Sequence, residues 1–198
     1  ASGTGRDLLA YSFLSMDSAA SCLAAALASA LVVRSRRRNS ARRPAPATSR
    51  VRVRAVRASD EAEWRALWRG YHTFYEACVP DAVYRSTFAR LVGEGGPFEV
   101  RGLVAEEQGG RLPGLAHYMG HRHGWHIENI VYLQDLFVLP RARGRGVGRQ
   151  LIEAVYRAAD EAGTPLVYWS THHTNHTARR LYDRVGANSG YIKYKRPR

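Results

Sequence analysis

From residue 51 onward the apolar positions follow strand and helix periods in turn. Val51, Val53 and Ala55 alternate with Arg52 and Arg54, as on a half-exposed strand. Trp64, Leu67, Trp68, Tyr71, Phe74 and Tyr75 then recur at helical spacing, so a helix is expected from a Ser59 cap to about Ala77. Pro80 starts a second helix reaching about Val92, and Gly95-Gly96-Pro97 is a turn. Val100–Glu106 and Leu115–His121 read as strands, with a hairpin signal at Gln108-Gly109-Gly110 between them. Ile130–Val138 is a strongly apolar strand interrupted by Gln134 and Asp135. Val147, Leu151, Ile152, Val155, Tyr156 and Ala159 share one helical face, and Gly163 ends that helix. Leu166–Trp169 reads as a short buried strand. Asn175 opens a last helix carrying Ala178, Leu181, Tyr182 and Val185, stopped by Gly186, and Tyr191–Tyr194 reads as a closing strand.

The order β-α-α-β-β-β-α-β-α-β predicts one α/β domain over residues 51–198, mostly antiparallel at its start, with a βαβ unit in its second half. A chain of 198 residues with 45% hydrophobic residues supports one such domain with a real core. Residues 1–50 have a different composition, dominated by Ala, Ser and Arg. A short apolar stretch there is followed by Arg34, Arg36, Arg37 and Arg38, then by the linker-like Arg42-Arg43-Pro44-Ala45-Pro46. An acid-poor, Ser- and Arg-rich N-terminus suits an organelle transit peptide, and an unstructured basic tail suits it equally. The expected location is intracellular, cytoplasmic or organellar. The longest nearly apolar run, Cys22–Val33, has 12 residues, whereas a bilayer span needs about 20, so no membrane span is expected. Cys22 and Cys78 lie in dissimilar contexts and read as free thiols in a reducing compartment.

The net charge of +13 divides unevenly. Residues 1–50 hold 8 Arg and 2 Asp, a net +6, which leaves +7 for residues 51–198. A solvated surface accounts for such a charge, and an anionic ligand such as a nucleotide is the competing explanation.

The segment Leu136–Arg149 narrows that choice. It is a strand, then a Gly- and Arg-rich turn, then a helix start. The first helical turn leaves backbone N–H groups unpaired and carries positive partial charge, and glycine lets phosphate oxygens approach closely. Arg141, Arg143, Arg145 and Arg149 add charge. A Walker loop is excluded because no Lys-Ser/Thr follows the glycines, and the Rossmann fingerprint is excluded because Arg149 stands where Gly or Ala is required.

Arg143-x-x-Gly146-x-Gly148, after a strand and opening a helix, resembles the acetyl-CoA-binding motif of the GNAT acyltransferase superfamily. The resemblance runs from about Val51 to Tyr194. Within the superfamily it is to the yeast histone-type and D-amino-acid N-acetyltransferases, through Tyr132–Val138, Val167–Thr171, Asn175–Ala178, Leu181–Gly186 and the closing Tyr194-Lys195-Arg196. Spermidine/spermine acetyltransferases share several of these features. The resemblance implies a central twisted mixed sheet, mostly antiparallel, flanked by about four helices. Its fourth and fifth strands splay apart around the pantetheine arm. It implies acetyl-CoA as donor, with no metal. Arg143, Gly144, Arg145, Gly146, Val147, Gly148 and Arg149 would hold the pyrophosphate. Leu136, Phe137 and Val138 would contact the acetyl and pantetheine groups, and Asn175 the pantetheine end.

Acetyl transfer to an amine makes three demands. The ammonium must lose a proton, since an alkylamine with a pKa near 10.4 is only about one part in a thousand free at pH 7. The oxyanion needs donors aimed at it, and the departing thiolate benefits from an acid. The resemblance makes Tyr182 that acid. The base is open: Gln134 stands where polyamine acetyltransferases have glutamate, Asp135 is the nearest carboxylate, and Glu128 is a second candidate. A buried structural role for Asp135, or a water chain in place of any base, is an equal alternative. The resemblance implies that Tyr71, Tyr75 and Glu76 of the first helix wall the acceptor site, beside the reading of that aromatic helix as core. His117, His121 and His123 share strand parity, which raises a metal reading although no Cys lies nearby, and His121 or His126 is a candidate proton relay; His172, His173 and His176 border the cofactor or are exposed loop residues. The expected partner is a small primary amine, with a histone or other protein tail as alternative. A non-catalytic acyl-CoA or nucleic-acid-binding module is a second alternative, and a homodimer is the expected assembly if there is one.

Overall fold

The structure, a computed structural model, describes residues 51–197. The readings made of residues 1–50 and of Cys22 lie outside the described residues.

Five strands and four helices follow in the order β1 (Arg52–Ala55), α1 (Glu61–Phe74), α2 (Asp81–Val92), β2 (Arg101–Glu106), β3 (Gly114–His121), β4 (Ile130–Val138), α3 (Val147–Glu161), β5 (Val167–Trp169) and α4 (His176–Val185). The strands lie in sequence order in one open mixed sheet. Strands β1 to β4 run antiparallel, and β4 pairs parallel with β5 across the α3 crossover. Positive φ angles of 92° at Gly109 and 81° at Gly110 supply the left-handed turn that joins β2 to β3.

Each sheet face buries one helix layer. Val104, Leu115 and Phe137 meet Trp64, Leu67 and Trp68 of α1 and Tyr84 and Phe88 of α2. On the other face Ala105, Ala116, Val131 and Leu133 meet Val147, Leu151, Ile152 and Val155 of α3. Helix α1 comes close to β4 because residue 70 is glycine: a Cβ there would stand 2.9 Å from the Phe137 ring.

A β-bulge in β4 decides which residues face which layer. His117 of β3 pairs with Asp135, but the next residue, Tyr118, pairs with Leu133. Gln134 is therefore an extra residue without a partner on β3. In a regular strand Leu133 and Asp135 would share a face. The extra residue reverses the parity, so Val131 and Leu133 face α3 while Asp135 and Phe137 face α1.

Three expectations are corrected. Tyr191–Tyr194 forms no strand; Tyr191, Ile192 and Tyr194 are exposed on an irregular segment. Alternation gives a segment strand character, but a ladder needs a partner strand, and among the described residues none pairs with it. Strand β5 is half-exposed rather than buried, because it is the sheet edge. Ser59 does not cap α1. It lies in a 3-10 turn over residues 58–60, where Asp60 accepts hydrogen bonds from the Arg57 N–H at 2.8 Å and Arg54 at 2.6 Å.

Candidate active site

The β4–β5 ladder is short. Only Val131–Leu133 pair with Val167–Trp169. Beyond Leu133, β4 keeps β3 on one side and borders a cleft on the other. That cleft is lined by Leu133, Gln134 and Leu136 of β4, Trp169 and Ser170 at the end of β5, Tyr71 and Tyr75 of α1's end, and Tyr182 of α4. The bulge residue Gln134 thus faces the opening. Gly186 lets the end of α4 lie on the Trp169 ring, which a Cβ at that position would approach to 2.6 Å. Trp169 in turn packs edge-on to Tyr182, with ring centroids 5.5 Å apart.

The turn after β4 presents an anion site. Gly144 and Gly146 adopt φ angles of 75° and 82°, in the left-handed region that favours glycine. Gly146 is the residue flanking α3, and its carbonyl accepts the Gln150 N–H at 3.0 Å. The N–H groups of Val147, Gly148 and Arg149 precede that first intrahelical bond, so they are the free donors of the helix start. Arg143 Nε donates to the Val138 carbonyl at 3.0 Å, which ties the turn back to the strand end. Arg143, Arg145 and Arg149 are exposed around it. No side chain fills the space over Gly144, where an added Cβ would meet nothing within 4 Å. Free amides, glycine backbone and arginines together suit a pyrophosphate.

Behind the cleft lies a buried polar network. Trp64 Nε1 donates to His117 Nε2 at 2.8 Å, His117 Nδ1 lies 2.9 Å from Asp135 Oδ2, and Trp68 Nε1 donates to the same oxygen at 3.1 Å. Burial opposes the charge on Asp135, but its hydrogen bonds with His117 and Trp68 outweigh it and hold the carboxyl below its ordinary value. Burial, then the neighbouring Asp135, pushes the Tyr71 phenol well above its ordinary value. Tyr182 is pushed up to about 12, by burial first and by Tyr75 second.

Most expected site residues meet here. Tyr71, Tyr75, Leu136 and Tyr182 line the cleft, and Arg143–Arg149 form the neighbouring turn. Asn175 flanks α4, where its Oδ1 accepts the Ala178 N–H at 3.3 Å and its Nδ2 donates to Thr171 Oγ1 at 3.2 Å. Phe137 points away, into the α1 layer. Glu76 and Glu128 are exposed and do not line the cleft. His121 is bonded to the Tyr168 hydroxyl at 2.9 Å on the sheet's edge strand, away from the cleft lining. Among the described residues no three of His, Cys, Asp and Glu gather as a metal site. Trp169, Ser170 and the Trp64–His117 pair were not foreseen as site residues. Trp64 was visible only as a helix-face hydrophobe and Trp169 only as part of a short strand.

A sheet whose parallel fourth and fifth strands part beside a glycine-arginine helix start belongs to a class of acyl-group transferases. The Acetyltransferase (GNAT) family matches residues 64–187. The chain is 43% identical over 148 residues to the D-amino-acid N-acetyltransferase HPA3 of Saccharomyces cerevisiae, covering 74% of this chain and 91% of that protein. It is 29% identical over 144 residues to the N-acetyltransferase YhfO of Bacillus subtilis, covering 72% and 94%. The aminoglycoside N-acetyltransferase AAC(6')-Iy, solved with a CoA-linked bisubstrate analogue, shares the fold at a TM-score of 0.64 and 21% identity, over 76% of this chain and 99% of that one. The chain belongs to the GNAT acetyltransferase family. It is an N-acetyltransferase, and acetyl-CoA is its acetyl donor.

Proposed function

We propose that the acceptor is a small primary amine bearing a carboxylate, of the amino-acid class. The observation that carries this reading is the cleft lining: four aromatic rings, two leucines, Gln134 and Ser170, with no charged side chain among them. A polyamine or a lysine-rich tail favours acidic walls. Glu76 and Glu128 stand outside the lining, and residues 51–198 carry +7. The 43% identity to a relative named for D-amino acids supports the same class.

Bound acetyl-CoA supplies a thioester carbonyl for the amine to attack. In this reading the amides of Val147, Gly148 and Arg149, with Arg143 and Arg145, hold the pyrophosphate. The β4 backbone at Leu136–Val138, which no β5 residue pairs, positions the arm. Tyr182 remains protonated through neutral pH and gives its proton to the departing thiolate. Among the described residues no carboxylate or imidazole lines the cleft, so in this reading the amine's proton leaves through water.

The test is thiol release from acetyl-CoA against D- and L-amino acids, polyamines and histone-tail peptides, with Tyr182→Phe as control. Turnover with amino acids, reduced by the substitution, supports the proposal. Preference for polyamines or peptides overturns it.

A further inference from the structure

Strands β4 and β5 share three rungs, the last joining Leu133 to Trp169. Gln134 and Ser170 are therefore the first residues past the point where the strands part, one on each, and both line the cleft. Gln134 is held there from both sides along the chain. Leu133 before it is 2% exposed and packed in the α3 layer. Asp135 after it is 5% exposed and bonded to Trp68 of α1 at 3.1 Å and to His117 of β3 at 2.9 Å. Between these two anchors Gln134 is the bulge residue without a partner on β3, and it is itself exposed. A bulge beside a site re-aims a side chain, and this one aims an amide into the opening.

A carboxylate entering this cleft meets no arginine, lysine or histidine among the described residues that line it, so neutral donors must hold it. A side-chain amide offers two N–H donors where a tyrosine or serine hydroxyl offers one. Gln134 carries the one side-chain amide of that lining. Hydrogen bonds to an ionised oxygen are about twice as strong as neutral ones. We propose that Gln134 is the specificity-determining residue for the acceptor's carboxylate: its Nε2 donates to one carboxylate oxygen, and the Ser170 hydroxyl, from the facing strand, donates to the other. Both donors are neutral at every working pH, and neither is needed for the chemistry at the thioester. This inference rests on the amino-acid reading above and names the residues that read the carboxylate.

The experiment measures the ratio of kcat/KM for an amino acid to that for the amine it becomes on decarboxylation, with the acetyl-CoA KM alongside, in wild type and variants. Gln134→Leu removes the donors, and is expected to lower the ratio about tenfold with the acetyl-CoA KM within about twofold. Gln134→Glu keeps the length of the side chain but puts a negative charge where the donor stood. It is expected to lower the ratio further, so that the decarboxylated amine becomes the better substrate. Ser170→Ala is expected to lower the ratio by a smaller factor than Gln134→Leu, since it removes one donor. Should Gln134→Leu disturb the cleft and raise the acetyl-CoA KM, Gln134→Glu, closer in shape, decides the matter. An unchanged ratio in Gln134→Glu, in an enzyme whose wild type prefers the amino acid, overturns this inference alone. A wild type that does not prefer the amino acid overturns the parent reading, and this one with it.

Discussion

Trp64 Nε1 lies 2.8 Å from His117 Nε2, and this contact fixes the state of the imidazole. An indole N–H can only donate, so Nε2 carries a lone pair. The ring proton is therefore on Nδ1, where it points at Asp135 Oδ2, 2.9 Å away. The contact is a hydrogen bond from a neutral ring to a carboxylate, not an ion pair.

Replacing His117 by leucine leaves the Trp64 N–H without a partner and the Asp135 carboxylate one donor short. Both groups are buried. Urea unfolding is expected to show a loss of about 2–4 kcal/mol, in the range for a buried donor and a carboxylate deprived of partners. A loss near zero would mean that the network contributes nothing to the folded state.

The Asp135 carboxyl titrates lower in the folded chain than in the unfolded one. On acidification the unfolded chain therefore takes up its proton first, at about pH 4. The stabilisation from this group is complete above that pH and is lost as pH falls through the folded value. Asp135→Asn is expected to be less stable at neutral pH and to lose less on going from about pH 6 to about pH 3. An acid dependence as steep as wild type would show that Asp135 is not a source of it.

Tyr182 is held protonated, with its value pushed up to about 12. As the acid for the leaving thiolate it sets no alkaline limit on kcat below about pH 11. Tyr182→Phe keeps the ring against Trp169 and is expected to lower kcat about 100-fold with little change in stability. Full activity in this variant would remove Tyr182 from the chemistry.

Gly146 carries the turn into α3 at a φ of 82°. A β-branched residue resists that conformation by about 1–2 kcal/mol, and its relaxation moves the free amides of the helix start. Gly146→Val is expected to raise the acetyl-CoA KM at least about tenfold while changing the amine KM less. Equal effects on both would place this turn away from the donor's phosphates.

The elements were legible because period and punctuation agreed. Gly163, Gly186 and Asn175 closed or opened helices where their backbone preferences place them. The anion turn was legible for the same reason. The parity reversal in β4 was not: nothing in Leu133-Gln134-Asp135 says which residue is extra, since a bulge is defined by pairing with β3. That reversal decides whether Asp135 meets the cleft, α3 or α1, so its role stayed open. The Trp64–His117–Asp135 chain joins residues 53 and 18 positions apart and reads locally as three unrelated side chains. The closing strand failed for the converse reason, since Tyr191–Tyr194 has strand character but pairs with no strand among the described residues.

Selection of a small amine bearing a carboxylate is the proposed property of the cleft. The direct measurement compares kcat/KM for an amino acid and for the amine it becomes on decarboxylation, at saturating acetyl-CoA. A preference for the amino acid of at least about tenfold is expected, the value of one charged hydrogen bond. Equal or higher efficiency with the decarboxylated amine would contradict it.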